Sequence, residues 1–126
     1  MAQTEEAIFH HGNQLNVDHT PVAAESAGDL VKVADDGSDN VLWGVVNSAI
    51  EAGDLGSADI KGIYKFKKGA VAFTQATLIG WDFSAKTAVA AGTAGAWDLA
   101  ICLYDAASGD DYVIGLLLGT VVAVGT

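Results

Sequence analysis

A chain of 126 residues is long enough to bury one hydrophobic core, and an apolar content of 51% suits a single folded domain. Its 16 acidic residues outnumber six lysines, arginine is absent and the formal net charge is -10, which argues against a protein that grips nucleic-acid phosphates. The acidic start lacks the features of a secretory signal, and the longest apolar run, from Tyr112 to Val124, is too short to span a bilayer as a helix, so we expect no membrane partner.

The beginning of the chain has few periodic signals. Gly12 and Asn13 form a plausible break after it, because both residues favour turns. We therefore predict an extended N-terminal arm over residues 1–12, followed by a single β-rich domain over residues 13–126.

From there, short apolar segments alternate with clusters of Gly, Asp, Asn and Ser at intervals of about ten residues, which is typical of an all-β sandwich or barrel. We expect a small single-domain β-barrel or β-sandwich. The predicted strands are Leu30 to Ala34, Val41 to Ile50, Ile60 to Lys67, Ala70 to Phe73, Leu78 to Phe83, Thr87 to Ala90, Leu99 to Tyr104 and Tyr112 to Val124.

Two of these segments differ in how clearly they predict a strand. In Tyr64-Lys65-Phe66-Lys67 the aromatic residues fall on one face of an extended chain and the lysines on the other. The stretch from Trp97 to Tyr104 also fits a helical stripe, so one helical turn is an alternative there.

Motifs for catalysis or cofactor binding are missing from the sequence. It has no phosphate-binding loop and no dinucleotide fingerprint. His10 and His11 are adjacent and would point to opposite sides of an extended chain, and His19 has no partner cysteine, so we expect no metal site. Cys102 lies in an apolar segment and is expected to be a buried, inert thiol. We predict no enzyme and no cofactor.

One cluster of positive charge stands out in this acidic chain. Lys61, Lys65, Lys67 and Lys68 supply four of the six lysines within eight residues. One interpretation of this cluster is an edge strand, on which exposed lysines discourage pairing with other chains. The other interpretation is a surface that binds an acidic patch on a partner.

From Pro21 onward, the chain carries an ordered series of short motifs. They are Ala27-Gly28-Asp29-Leu30-Val31, Gly44-Val45-Val46, Ile50-Glu51-Ala52-Gly53 leading to Gly56, Gly62-Ile63-Tyr64-Lys65-Phe66-Lys67-Lys68, Phe73-Thr74-Gln75, Trp81-Asp82, an Ala-rich stretch closing with Ile101, and Val113 to Leu118. The order and spacing of these motifs resemble the capsid cement proteins of tailed bacteriophages. The turn that follows Gln75 differs, because the family usually has Gly-Asp where this chain has Ala76-Thr77.

The resemblance implies a structural protein on the outer surface of the virion. Such a protein binds the expanded head and clamps neighbouring major capsid subunits, and we expect a homotrimer at three-fold positions of the shell. Residues expected to contact the capsid or another partner are Ile8, Phe9, His10, Tyr64, Lys65, Lys67, Lys68 and Trp81.

The residues leave two other functions open. A small β-barrel that binds a ligand or glycan could use Trp43, Trp81 and Trp97 as stacking surfaces. An unrecognised hydrolase would need a pocket in which His19 meets a nucleophile.

Overall fold

The computed structural model describes the backbone of residues 7–125 and the side chains of Ile8 and of residues 15–125. It confirms the all-β prediction, since residues 7–125 form strands, turns and loops without a helix. The strands are β1 (Ala7–His19), β2 (Leu30–Asp35), β3 (Asn40–Val46), β4 (Gly56–Lys67), β5 (Leu78–Asp82), β6 (Thr87–Ala90), β7 (Trp97–Cys102), β8 (Tyr112–Leu117) and β9 (Val121–Ala123).

These strands form a single antiparallel sheet in the order β2-β3-β4-β8-β7-β5-β6, with β1 added to β4 and β9 added to β3. The sheet is not closed into a barrel. Trp43 on β3 packs edge-on against Trp97 on β7, with ring centroids 5.1 Å apart, which shows that the sheet is bent. The part of the sheet around β3 and the part around β7, which we call its two wings, therefore face each other across one core.

The sheet branches at β4, because β4 pairs with β1, β3 and β8. Along one edge of β4, the partner is β1, from the pair Ala7 and Phe66 to the pair His19 and Gly56. The other edge is shared, because β3 pairs with residues 58–59 and β8 with residues 62–67. Gly62 lies where the second partner begins and has a φ of 143°, which side-chain-bearing residues rarely adopt. Glycine therefore allows β4 to bend from one wing of the sheet into the other.

The main core lines the inner face of this bent sheet. It contains sixteen buried residues, among them three of the largest side chains of the chain, Trp43, Trp81 and Phe66, each at most 2% exposed. A second, smaller cluster of Val31, Val46, Ile50 and Ala58 lies at the junction of β2, β3 and β4. Cys102 belongs to the main core and is 1% exposed, as the sequence predicts.

Several predicted strands need correction. The segment from Ala70 to Phe73 is not a strand, since only Phe73 makes an isolated bridge, to Ala106. The predicted strand from Tyr112 to Val124 is divided into β8 and β9, because Gly119 turns the chain with a φ of 70°.

The remaining differences concern strand ends and the start of the chain. The helical alternative for Trp97 to Tyr104 is wrong, because β7 pairs with both β5 and β8. The strand predicted to begin at Val41 ends at Val46 rather than Ile50. The strand predicted to begin at Ile60 starts four residues earlier, at Gly56.

β1 begins within the segment predicted as an arm. Its register against β4 shifts between His11 and Leu15, so residues 12–14 have no Cα partner on β4. The predicted boundary after Gly12 falls at this irregularity, and the division into arm and domain stays a prediction. Over the described residues, no helix is long and apolar enough to cross a membrane.

Candidate docking surface

β4 alternates between the core and the outside of the sheet. Tyr64 and Phe66 are at most 1% exposed and belong to the core, whereas Lys65 and Lys67 point away from it. This confirms the alternation predicted from the Tyr-Lys-Phe-Lys sequence.

Apolar side chains from neighbouring strands lie beside these lysines. In an antiparallel pair, residues directly opposite each other project from the same face of the sheet. Lys65 is opposite Ile114 of β8, and Lys67 is opposite Tyr112. The outer face of β4 therefore continues onto β8 as a mixed basic and apolar surface.

The same rule identifies an apolar row across four strands. Ile63 on β4 is opposite Leu116 on β8, Leu116 is opposite Ile101 on β7, and Ile101 is opposite Leu78 on β5. Leu78 is 39% exposed and the other three are half-buried. None of the four belongs to either core cluster. We call the combined surface the lysine face; it comprises Lys61, Ile63, Lys65, Lys67, Leu78, Ile101, Tyr112, Ile114 and Leu116.

The lysines of this surface have no carboxylate partner within the described part of the chain. His19 and Glu25, which lie outside this surface, form a hydrogen bond of 2.8 Å that is an ion pair only when the imidazole is protonated. The ammonium group of Lys65 lies 5.8 Å from the centroid of the Tyr112 ring, within range of a cation–π contact. Among the described residues, the lysine face thus carries positive charge without a carboxylate partner, on a chain whose net charge is -10.

Lys68 differs from the other lysines of the cluster, because it is only 6% exposed. Its ammonium group donates to the carbonyl oxygens of Val71 at 2.7 Å, Ala107 at 2.8 Å, Gly69 at 3.2 Å and Ser108 at 3.4 Å. These carbonyls come from two loops, so Lys68 ties the loop after β4 to the loop before β8. Three lysines of the sequence cluster remain on the outer face.

The other predicted contact residues occupy different environments. Ile8 is half-buried on β1, directly opposite Lys65, and thus borders the lysine face. Phe9 is paired with Tyr64 through the backbone, and His10 follows it in β1; their side chains are outside the described residues. Trp81 is fully buried and Tyr64 is 1% exposed, so both can only support a surface from beneath. Their role in partner binding stays a prediction.

The tryptophans are poorly placed to stack on a ligand. Trp43 and Trp81 are at most 2% exposed, and their indole nitrogens are buried without a hydrogen-bond partner. Trp97 is half-buried between the Trp43 ring and the ammonium group of Lys32, which is 5.3 Å from its centroid. Among the described residues, no three His, Cys, Asp or Glu side chains come together in a way that could hold a metal ion.

The sequence interpretation missed the apolar half of the lysine face. The sequence places Ile101, Ile114 and Leu116 in strands but does not mark them as a surface, because an apolar residue in a strand normally belongs to the core. A signal was present in Tyr112 to Leu117, where nearly every residue is apolar although a strand with one solvated face should alternate. Such a strand either is covered on both faces or presents an apolar face to a partner.

Comparison with known proteins adds the family. A sequence model described as phage cement protein matches residues 9–122, which is most of the chain. No curated protein and no solved structure matches this chain. The match covers β4, β8 and every strand that contributes to the lysine face. The chain therefore belongs to the phage cement protein family, a family of structural proteins of the phage capsid.

Proposed function

We propose that this protein binds the outside of the expanded phage head and clamps neighbouring major capsid subunits through the lysine face. The observation that carries this proposal is an apolar row across four strands, bordered by Lys61, Lys65 and Lys67, on a chain that is otherwise strongly acidic. Apolar area supplies binding free energy, and the bordering charges select and orient the partner.

The charge of the lysine face favours a different protein over a second copy. Two copies that met through this face would bring their lysines together, which costs free energy unless counter-ions are recruited. An acidic patch with an apolar centre on the shell satisfies both parts of the surface. A protein that binds only the assembled shell stabilises that state by mass action, and many copies add their contributions.

The N-terminal strand extends this surface. Because Ile8 is opposite Lys65 in the β1–β4 pairing, the first described residues of β1 lie beside the lysine face. We propose that Ile8, Phe9 and His10 contact the neighbouring capsid subunit. The buried side chains of Tyr64, Lys68 and Trp81 would support the lysine face from inside the protein. A homotrimer at three-fold positions would place three such surfaces around one shell axis.

Co-sedimentation with empty expanded shells tests the proposal. Replacing Lys65 and Lys67 by glutamine should weaken binding at least about tenfold and flatten its dependence on salt, since exposed charge pairs are screened by ions. Ser48 and Ala49 are exposed and lie outside the lysine face, so Ser48→Glu with Ala49→Glu is a matched control that changes the net charge by the same amount.

The outcome separates specific docking from a general effect of charge. Equal loss of binding in both double variants would assign the interaction to net charge and contradict the proposal. Electron microscopy of the parent particle gives an independent check: we expect density for this chain on the shell exterior, with β4 and β8 against the capsid subunits. Density on the interior, or none, would overturn it.

A further inference from the structure

The first described residues of β1 follow a regular register on β4. Ala7 is opposite Phe66 and Ile8 is opposite Lys65, and the first shift in register comes only after Phe9. Residues two apart on a strand project from the same face of the sheet, and residues directly opposite each other share that face. Ile8 therefore projects from the outer face of the sheet, beside Lys65.

Two acidic residues directly precede this regular stretch in the sequence. Residues 1–6 lie outside the described residues, and they end in Glu5 and Glu6. Continued by one residue, the register of β1 would put Glu6 opposite Lys67, the last residue of β4. Glu6 would then project from the same face as Ile8, two positions away, whereas Glu5 would project from the opposite face.

The surroundings of Lys67 favour a carboxylate at that position. Lys67 is exposed and has no carboxylate partner within residues 15–125. Lys65 projects from the same face two residues earlier, about 7 Å along the strand. Its ammonium group lies 5.8 Å from the ring centroid of Tyr112, the residue opposite Lys67 on β8, so it occupies the β8 side of β4. A carboxylate on the β1 side would offset the repulsion between the two lysines.

Glu6 and Ile8 together have the chemistry that the lysine face selects. Ile8 is apolar and half-buried, and Glu6 has the charge opposite to that of Lys67. The lysine face combines an apolar row with bordering cations, so an extended segment with an acid and an apolar residue at alternate positions matches both parts. The chain carries such a segment in its own sequence, joined directly to β1.

We propose that the N-terminal segment, residues 1–6, docks at the Lys67 end of the lysine face, with Glu6 continuing β1 and paired to Lys67, and that it competes there with the capsid. An extended acidic segment of the shell, with apolar residues at alternate positions, displaces it on docking. The effect on shell binding rests on the proposed function, whereas the contact between Glu6 and Lys67 stands without it.

A tethered acid competes well although a single charge pair is weak. Because Glu6 directly precedes β1, its effective concentration at Lys67 is on the order of millimolar or higher. One exposed ion pair contributes little and is screened by salt. The segment therefore protects the lysine face from isolated acidic groups on other molecules. A shell site that offers several acids around an apolar centre still displaces it, because it adds apolar burial.

Lysine acylation of the purified full chain, followed by mass spectrometry, tests the contact without any shell. Acylation needs the neutral amine and a paired carboxylate favours the ammonium form, so Glu6→Gln should speed modification of Lys67 about two- to fivefold. Glu5→Gln is the matched control, because it changes the net charge equally at a position that the same register turns to the other face. Lys61, six residues before Lys67 on β4, is the internal reference.

Co-sedimentation with expanded shells tests the competition. At low salt, Glu6→Gln should tighten binding about two- to fivefold, and by more than Glu5→Gln does. In a chain that already carries Lys67→Gln, the substitution of Glu6 should have no further effect, because the carboxylate has lost its partner. The wild type needs no substitution for a further check, since about 1 M salt should speed acylation of Lys67 relative to Lys61.

Acylation of Lys67 at the same rate in the wild type and in Glu6→Gln would overturn the docking of the segment, and so would an equal increase with Glu5→Gln. Faster acylation with unchanged shell binding would overturn the competition. The proposed function fails separately, if glutamine at positions 65 and 67 leaves shell binding intact. In that case the acylation rates still decide whether Glu6 pairs with Lys67.

Discussion

The hydroxyl group of Tyr64 donates a hydrogen bond of 3.3 Å to Oδ2 of Asp59 in the interior of the protein. Asp59 is 1% exposed and also accepts a hydrogen bond of 3.3 Å from the Asn47 side chain. Burial raises the pKa of this carboxyl group above its ordinary value of 3.8, against the opposing effect of both hydrogen bonds. The pair joins the two halves of β4, since β3 pairs at Asp59 and β8 pairs at Tyr64.

The first prediction concerns pH. Because the folded state raises the pKa of Asp59, it binds this proton more tightly than the unfolded chain does, so the contribution of Asp59 to stability falls as pH rises from 3.8 through the raised pKa. Asp59→Asn removes this loss and can keep a carbonyl acceptor for Asn47. We expect the variant to match the wild type at low pH and to equal or exceed its stability at pH 7, by about 1 kcal/mol or less.

Denaturant unfolding at a series of pH values measures this difference. Asp36→Asn is a useful contrast, because the pKa of Asp36 is lowered by its hydrogen bonds, chiefly with Asn40. Asp36 stabilises the fold above its ordinary pKa and loses that contribution as pH falls, so its variant should be weaker at neutral pH and converge with the wild type in acid. A variant of Asp59 that is less stable than the wild type only at neutral pH would contradict the account.

The second prediction concerns the buried ammonium group of Lys68. Lys68→Met keeps much of the side-chain volume but leaves carbonyl oxygens of two loops without their donor, so we expect a loss of about 3 kcal/mol in the free energy of unfolding. Lys67→Met, one residue earlier on the exposed face, should change it by about 0.5 kcal/mol or less. Thermal and denaturant unfolding measure both, and similar values for the two variants would refute a structural role for Lys68.

The third prediction concerns the bend in β4. Gly62→Ala places a Cβ on a residue with a φ of 143°, which should cost about 1–3 kcal/mol through backbone strain. Gly109→Ala is the matched control, because Gly109 is exposed, its added Cβ would meet nothing within 4 Å and its φ is not positive. Unfolding curves that show no greater loss at position 62 would argue against a strained bend there.

The fourth prediction is a stabilising change. Ala76 has a φ of 71°, a left-handed conformation that costs a residue with a Cβ about 1 kcal/mol. Ala76→Gly should therefore raise the free energy of unfolding by about 0.5–1 kcal/mol. Ala72→Gly, at another exposed alanine whose φ is not positive, should lower stability instead, because glycine gains freedom in the unfolded chain. Scanning calorimetry distinguishes the two signs.

The strand content of this chain could be predicted where the alternation of side chains is strong. At Tyr64 to Lys67, large aromatic residues and lysines differ so much in the free energy of burial that only one face can turn inward. At Ala70 to Phe73, an apolar run predicted a strand, but the ammonium group of Lys68 binds the carbonyls of Gly69 and Val71 and turns the chain there. That interaction depends on a loop almost 40 residues away, and no local pattern reports it.

The candidate site was predictable in part for the same reason. Lysines clustered on one strand are visible in any sequence, and the order of short motifs was enough to indicate the family. The apolar row of Ile63, Leu116, Ile101 and Leu78 was not, because its four strands lie in the order β4-β8-β7-β5 in the sheet, which differs from their order in the chain. Their common face exists only once the register of β4, β8, β7 and β5 is established.

The sequence by itself determined that this chain forms β-strands and which face of β4 is buried, because composition and period-two alternation act locally. Tertiary structure alone decided that Lys68 lies inside while Lys67 lies outside, and that β4 pairs with β3 over one part of an edge and with β8 over the rest. Those features arise when distant segments meet, since burial and charge pairing depend on which residues become neighbours in space.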